Sequence, residues 1–199
     1  MSTHDQLFES IDKRVAQLAY RWKLYGELFD SGQDNIDLLN ASSASVFGLL
    51  QELMLDDVIL TLCRLTDPAA SGGGKDKENA SIKHLVKVSK NTADPAIAAE
   101  IDASVDQLDK LVENFKIHRS KALAHADLQY SLNAKTLPSI AYDELEGAMK
   151  ECYNLMGKLG TKSMYRVGGY NPIIKFGEGG LNLLNVLRSA HAQSKRIAG

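Results

Sequence analysis

Residues Gln6–Phe29 read QLFESIDKRVAQLAYRWKLYGELF, with Leu7, Ile11, Val15, Leu18, Trp22, Tyr25 and Phe29 recurring at spacings of three and four. That period lays the apolar side chains along one side of a long α-helix, which Ser31 and Gly32 close. A second long helix is predicted over about Ile36–Leu65, carrying Leu38, Leu39, Val46, Leu49, Leu50, Leu53, Met54, Val58, Leu60 and Leu62, with Asn40–Ser45 expected to loosen its first third. Asp67-Pro68 ends it, because proline disfavours helical backbone at the residue before it.

Further along, the Ala69–Lys77 loop (AASGGGKDK) has no preceding strand and no Ser or Thr after Lys75, so it reads as a linker rather than a phosphate loop. Asn79 or Ser81 caps a short helix, Ile82–Ser89. Pro95 takes the first position of a helix with Ile97, Ile101, Val105, Leu108, Leu111, Val112 and Phe115, predicted to run towards His125. Leu128–Ala141 contains a short alternating stretch. Tyr142–Leu159 is helical again, Ile173–Lys175 is a candidate extended tripeptide, and Leu181–Arg196 is a last amphipathic helix. The expected fold is therefore all-α: an antiparallel bundle of five to six helices, in one domain over 1–199 with a basic, glycine-rich extension from about 160.

Composition narrows the function. At 199 residues, 44 % hydrophobic and 24 % charged, the chain has ordinary globular make-up and enough length for a core. The longest stretch without Asp, Glu, Lys or Arg, Leu38–Gln51, has fourteen residues, short of a membrane span. Met1–Glu9 has no apolar run to make a signal peptide. Cys63 and Cys152 stand alone in apolar surroundings, with no CxxC or Cys/His ligand set, so neither a zinc module nor a disulfide framework is expected. Together these point to a reducing, cytoplasmic setting and buried thiols. The total charge is −2, but Lys158–Gly199 holds seven basic residues and one acid, a net +6 against −8 for the rest. Such a segment faces either the acidic body of the protein or a phosphate chain.

No HExxH, ExxH, GxSxG or GxGxxG occurs, so no metal or cofactor is expected. His4, at the N-terminal end, and His84 and His191, each alone beside a base, read as surface residues. Lys116–Asp127, KIHRSKALAHAD, is different: Lys116, His118, Arg119, Lys121, His125 and Asp127 fall within twelve residues. Cations gathered near a helix C-terminus match its dipole, which by itself makes a solvated helix end. On a straight α-helix His118 and His125 share a face but stand about 10.5 Å apart along the axis, and Arg119 and His125 differ by about 240°. Neither pair converges on one small group, so either the helix ends before His125 or a second copy of the chain completes the site. Asp57 and Arg64, seven apart near the apolar stripe of the second helix, are expected to join an internal salt-bridge network or to supply an extra site acid.

Arg119–His125 (RSKALAH) resembles the Arg, four-to-six-residue, His signature of the HEPN superfamily. Asp56–Pro68 (DDVILTLCRLTDP), Glu78–Ile82 (ENASI) and His125–Asp127 (HAD) make the surrounding text resemble its branch of AbiU-type abortive-infection proteins, over about residues 15–160. The resemblance implies a homodimer whose Arg–His motifs face each other across a cleft, and a metal-independent endoribonuclease in a defence or toxin role, with RNA as substrate and an antitoxin protein as partner. It implies Arg119 as phosphate clamp and His125 as acid/base; around them Lys121, His118 and Ser120 are expected on the substrate and Asp57, Arg64 and Asp127 in support. Ser120 departs from the pattern, in which a polar residue, often Asn, follows the arginine; a hydroxyl lacks the amide's two donors. The alternative is a non-catalytic HEPN-like dimer that binds nucleotide, RNA or a partner protein. A four-helix binder of small ligands is a third reading, resting on architecture alone.

Overall fold

The computed structural model describes residues 3–71, 77–89, 95–123, 127–160, 169–175 and 177–198. Eight α-helices form in it: α1 Thr3–Phe29, α2 Gln33–Leu65, α3 Ile82–Ser89, α4 Pro95–Leu111, α5 Glu113–His118, α6 Leu128–Ser131, α7 Tyr142–Leu159 and α8 Gly180–Ala198. A π-helical turn, Arg119–Leu123, follows α5. Among the described residues the one β feature is an isolated antiparallel bridge between Ala70 and Glu78. No helix in them is long and apolar enough to cross a membrane.

The all-α reading holds, but the helix number exceeds the five to six expected, for two reasons. The helix predicted from Pro95 to His125 breaks at Val112, which leaves the helical region (φ −96°, ψ 4°) while its amide still bonds Leu108 and its carbonyl still accepts from Lys116. Apolar spacing crosses that break without interruption, because Val112 and Phe115 are both fully buried. The alternation after Leu128 is not extended backbone: residues 128–131 make one helical turn, capped by Asp127, whose carboxylate accepts from the Gln129 amide. Residues 173–175 form no strand. The loosening expected over Asn40–Ser45 falls at Ser43, whose backbone is extended (φ −171°, ψ 88°) inside α2.

The chain divides into two compact units. The first comprises 1–17 and 59–170. In it α7 lies against α4 and α3, and the buried side chains include Ile11 and Val15 from α1, Leu62 and Leu65 from α2, Leu85, Leu108, Phe115, and Met149, Cys152, Leu155 and Met156 from α7. α7 ends at Gly160, whose backbone is extended, and the Phe8 ring occupies the space a Cβ there would need. Arg14 donates from Nη1 to the Ala80 carbonyl, tying α1 to the loop before α3.

The second unit comprises 18–58 and 171–199. Leu28, Leu39 and Leu184 form its buried centre, packed by Phe29, Phe47, Leu50, Met54 and Leu187. Glu27 accepts from the Gly180 amide at 2.8 Å and so caps α8 from α1. Arg21 bonds Asp57 at 2.8 Å.

That last contact corrects one expectation. Asp57 and Arg64 do share a helix face, as their spacing requires, but it is the less buried one. Leu53 and Arg64 on it are exposed, whereas the core side of α2 carries Val58, Ile59, Leu62, Cys63 and Leu65. Apolar residues surround α2 so fully that spacing does not tell which side is buried. Asp57 takes Arg21 as its ion partner, and Arg64 stands in solvent. Two histidine readings change as well. His4 belongs to α1 and its Nε2 lies 2.9 Å from Ser89 Oγ, while His84 is mostly buried with Nδ1 on the Asn79 carbonyl.

Candidate functional site

Lys116–Leu123 stays helical but changes pitch. Phe115 is fully buried and anchors α5 in the first unit, and Arg119 closes α5 with its amide directed at the Phe115 and Lys116 carbonyls. The next five residues take the wider π form. π-turns accommodate an extra residue per turn and are frequent at functional positions. The straight-helix rotation between Arg119 and His125 therefore does not apply: the turn that carries the arginine is not an α-turn. His125 itself, the expected acid/base, lies outside the described residues.

Arg119 projects from the first residue of the π-turn and donates from Nη1 to Asp67 Oδ1 at 2.7 Å. Both side chains are about a quarter to a third exposed (32 % and 24 %), so water screens the pair only in part. The hydrogen bond to Asp67 holds the guanidinium pKa above its already high value. Asp67 sits just beyond α2, fixed by the Pro68 that ends the helix. Cys63, one turn earlier, is fully buried, and burial pushes its thiol to about 11 although Arg119 pulls the other way. Asp67 is the residue that sequence reasoning missed. The RLTDP run was part of the resemblance, but nothing in spacing told that its acid reaches the arginine 52 positions on.

The other expected residues scatter around this pair. Lys121 donates from Nζ to Asp127 Oδ2 at 2.9 Å, and the Asp127 amide donates to the Lys121 carbonyl at 3.2 Å. The same lysine lies 6.0 Å from the centre of the Tyr130 ring. The hydrogen bond between them holds Lys121 above its ordinary pKa and Asp127 below its own. His118 engages the Pro138 carbonyl through Nε2, which fastens the 132–141 loop to α5. Ser120 is exposed and its hydroxyl donates to the Ile117 carbonyl at 3.2 Å, within the helix. Lys116 belongs to a second cluster, in which Asp109 accepts from Lys116 at 2.9 Å and from Lys83 at 2.5 Å. Burial pushes the Asp109 carboxyl up, but the two lysine hydrogen bonds together outweigh it and leave it below the ordinary range.

The exposed side of α5 and the π-turn thus presents one carboxylate-steadied guanidinium, paired ammonium groups and a serine hydroxyl. No group of three or more His, Cys, Asp or Glu among the described residues is placed to hold a metal ion. A guanidinium with donors to spare is suited to a tetrahedral oxyanion, which it grips through two parallel N–H groups.

A fold that is helical throughout its described residues, with this arginine on the π-turn after α5, matches a class defined by such motifs. The HEPN family model described as AbiU2 covers residues 1–176, beyond the 15–160 that the motifs alone delimit. The chain belongs to the AbiU2 family of the HEPN superfamily. Neither the curated proteins nor the solved structures compared with it give a match.

Proposed function

We propose that this protein is a metal-independent endoribonuclease of the HEPN type, acting as a homodimer in a defence or toxin role. Arg119 holds the scissile phosphate and His125 moves the proton. RNA brings its own nucleophile, the 2′-hydroxyl. An imidazole titrating near neutrality can accept that proton or return one to the departing 5′-oxygen, a contribution typically of about 10²–10⁴-fold. The guanidinium counters charge that builds on the phosphate oxygens as the 2′-oxygen bonds to phosphorus and the P–O5′ bond breaks. The products of that step are a 2′,3′-cyclic phosphate and a free 5′-hydroxyl. Lys121, paired with Asp127, adds a second cation on the same turn.

The observation that carries this reading is Arg119 itself: a partly exposed guanidinium on a π-turn, bonded through Nη1 to Asp67. The test is incubation of the purified protein with tRNA and mRNA in EDTA. Cleavage by the wild type and its loss in His125→Ala and Arg119→Ala supports the proposal. No cleavage, or equal cleavage by His125→Ala, removes it.

The non-catalytic reading rests on Ser120. Its hydroxyl proton is used on the Ile117 carbonyl, so it offers substrate no donor where an amide would offer two. In that case a dimer binds nucleotide, RNA, an antitoxin or another protein partner without cutting. Equal cellular effect from the wild type and the Arg119→Ala/His125→Ala double variant would establish it.

A further inference from the structure

We propose that Asp67 is a positioning residue for Arg119, setting the edge of the guanidinium that meets the phosphate. The inference rests on the ribonuclease reading above and assigns a residue that the Arg–His motif does not contain.

The geometry has three parts. Asp67 follows α2 and precedes Pro68, whose ring fixes its own φ and restricts the backbone of Asp67. Two hydrogen bonds lock the turn that delivers it: the Thr66 amide and hydroxyl both donate to the Leu62 carbonyl, and Thr66 is fully buried. The carboxylate then meets Arg119 through a single contact, Nη1 to Oδ1 at 2.7 Å. A one-point contact of this kind narrows the rotamers open to a long side chain and leaves Nε and Nη2 for other acceptors. The π-turn supplies the complementary constraint, because it moves the arginine off the register an α-turn would give it. Removing the carboxylate charge while keeping its shape leaves only a weaker, neutral acceptor at Oδ1, so the guanidinium samples other rotamers more often. Loss of orientation at a reacting centre of this kind is worth on the order of 10²-fold.

The test compares the wild type, Asp67→Asn, Asp67→Glu, Arg119→Ala and the Asp67→Asn/Arg119→Ala double variant on a cleavable RNA in EDTA. Binding of the DNA oligonucleotide of the same sequence, which has no 2′-hydroxyl to react, is measured in parallel. Asp67→Asn is expected to lower kcat by about 10- to 100-fold, with KM and melting temperature little changed. Asp67→Glu recovers part of the loss, and the double variant is no worse than Arg119→Ala, because Asp67 acts only through the arginine. Full kcat in Asp67→Asn, or a double variant clearly worse than Arg119→Ala, overturns the inference. If the wild type cuts no RNA, the nuclease reading falls by itself and the DNA arm decides the positioning role. Weaker binding by Asp67→Asn that disappears in the Arg119→Ala background supports it, and equal binding by the wild type and Asp67→Asn overturns it.

Discussion

Lys121 and Asp127 are joined twice, through Nζ to Oδ2 at 2.9 Å and through the Asp127 amide to the Lys121 carbonyl at 3.2 Å. Asp127 also caps α6 through the Gln129 amide. One carboxylate therefore serves a helix end and a cation, and the two roles separate by substitution. Asp127→Asn keeps an acceptor for the cap, whereas Asp127→Ala removes it. Thermal melts should show Ala lowering the midpoint more than Asn, and the difference should persist at 1 M NaCl, because salt screens the charge pair and leaves the cap.

Phe115 anchors the α5 segment that delivers Arg119, and it is fully buried. Phe115→Ala should cost about 3–5 kcal/mol of stability, the range for removing a buried aromatic ring. Urea titration measures it, and a loss below about 1 kcal/mol would show that the ring is not part of a packed core.

Gly160 stands where the Phe8 ring leaves no room for a Cβ. Gly160→Ala should destabilise the protein by about 1–3 kcal/mol, as other overpacked sites do. Adding Phe8→Leu, which shortens the obstructing side chain, should recover part of that loss in the same urea assay.

Asp109, between Lys83 and Lys116, titrates below the ordinary carboxylate range. The unfolded chain then takes up the proton first, so the stability this group contributes is present above about pH 4 and is lost as pH falls through its depressed folded value. Asp109→Asn should flatten the acid limb of a melting-temperature profile below about pH 4. A limb identical to wild type would assign acid lability to other carboxylates.

Both cysteines are buried and free, with Cys63 pushed up to about 11 and Cys152 to about 12. Neither forms much thiolate at neutral pH, so a water-soluble maleimide should label them only as fast as the protein opens. Raised folded values also fix the alkaline sign: stability is intact below the ordinary thiol value and is lost as pH rises through about 9 to 11. Rapid labelling of the native protein at pH 7 would contradict the burial.

The sequence alone determined the helical class and most helix positions. Ile82–Ser89 and Tyr142–Leu159 are found with the predicted bounds, and α1, α2 and α8 lie within three residues of theirs. This is because apolar spacing, stop signals at Gly32 and Pro68 and the start signal at Pro95 are local and act on the chain directly. The family, too, was legible in RSKALAH, RLTDP and ENASI. Tertiary structure decided what local period does not encode. Whether Asp57 and Arg64 face the core depends on which side of an apolar-rich helix the neighbours cover. The break at Val112 and the π-turn at Arg119 arise while the same side chains stay buried. The approach of Asp67 to Arg119 brings together residues 52 positions apart. Such a contact follows from how helices pack, and no spacing within either helix carries it.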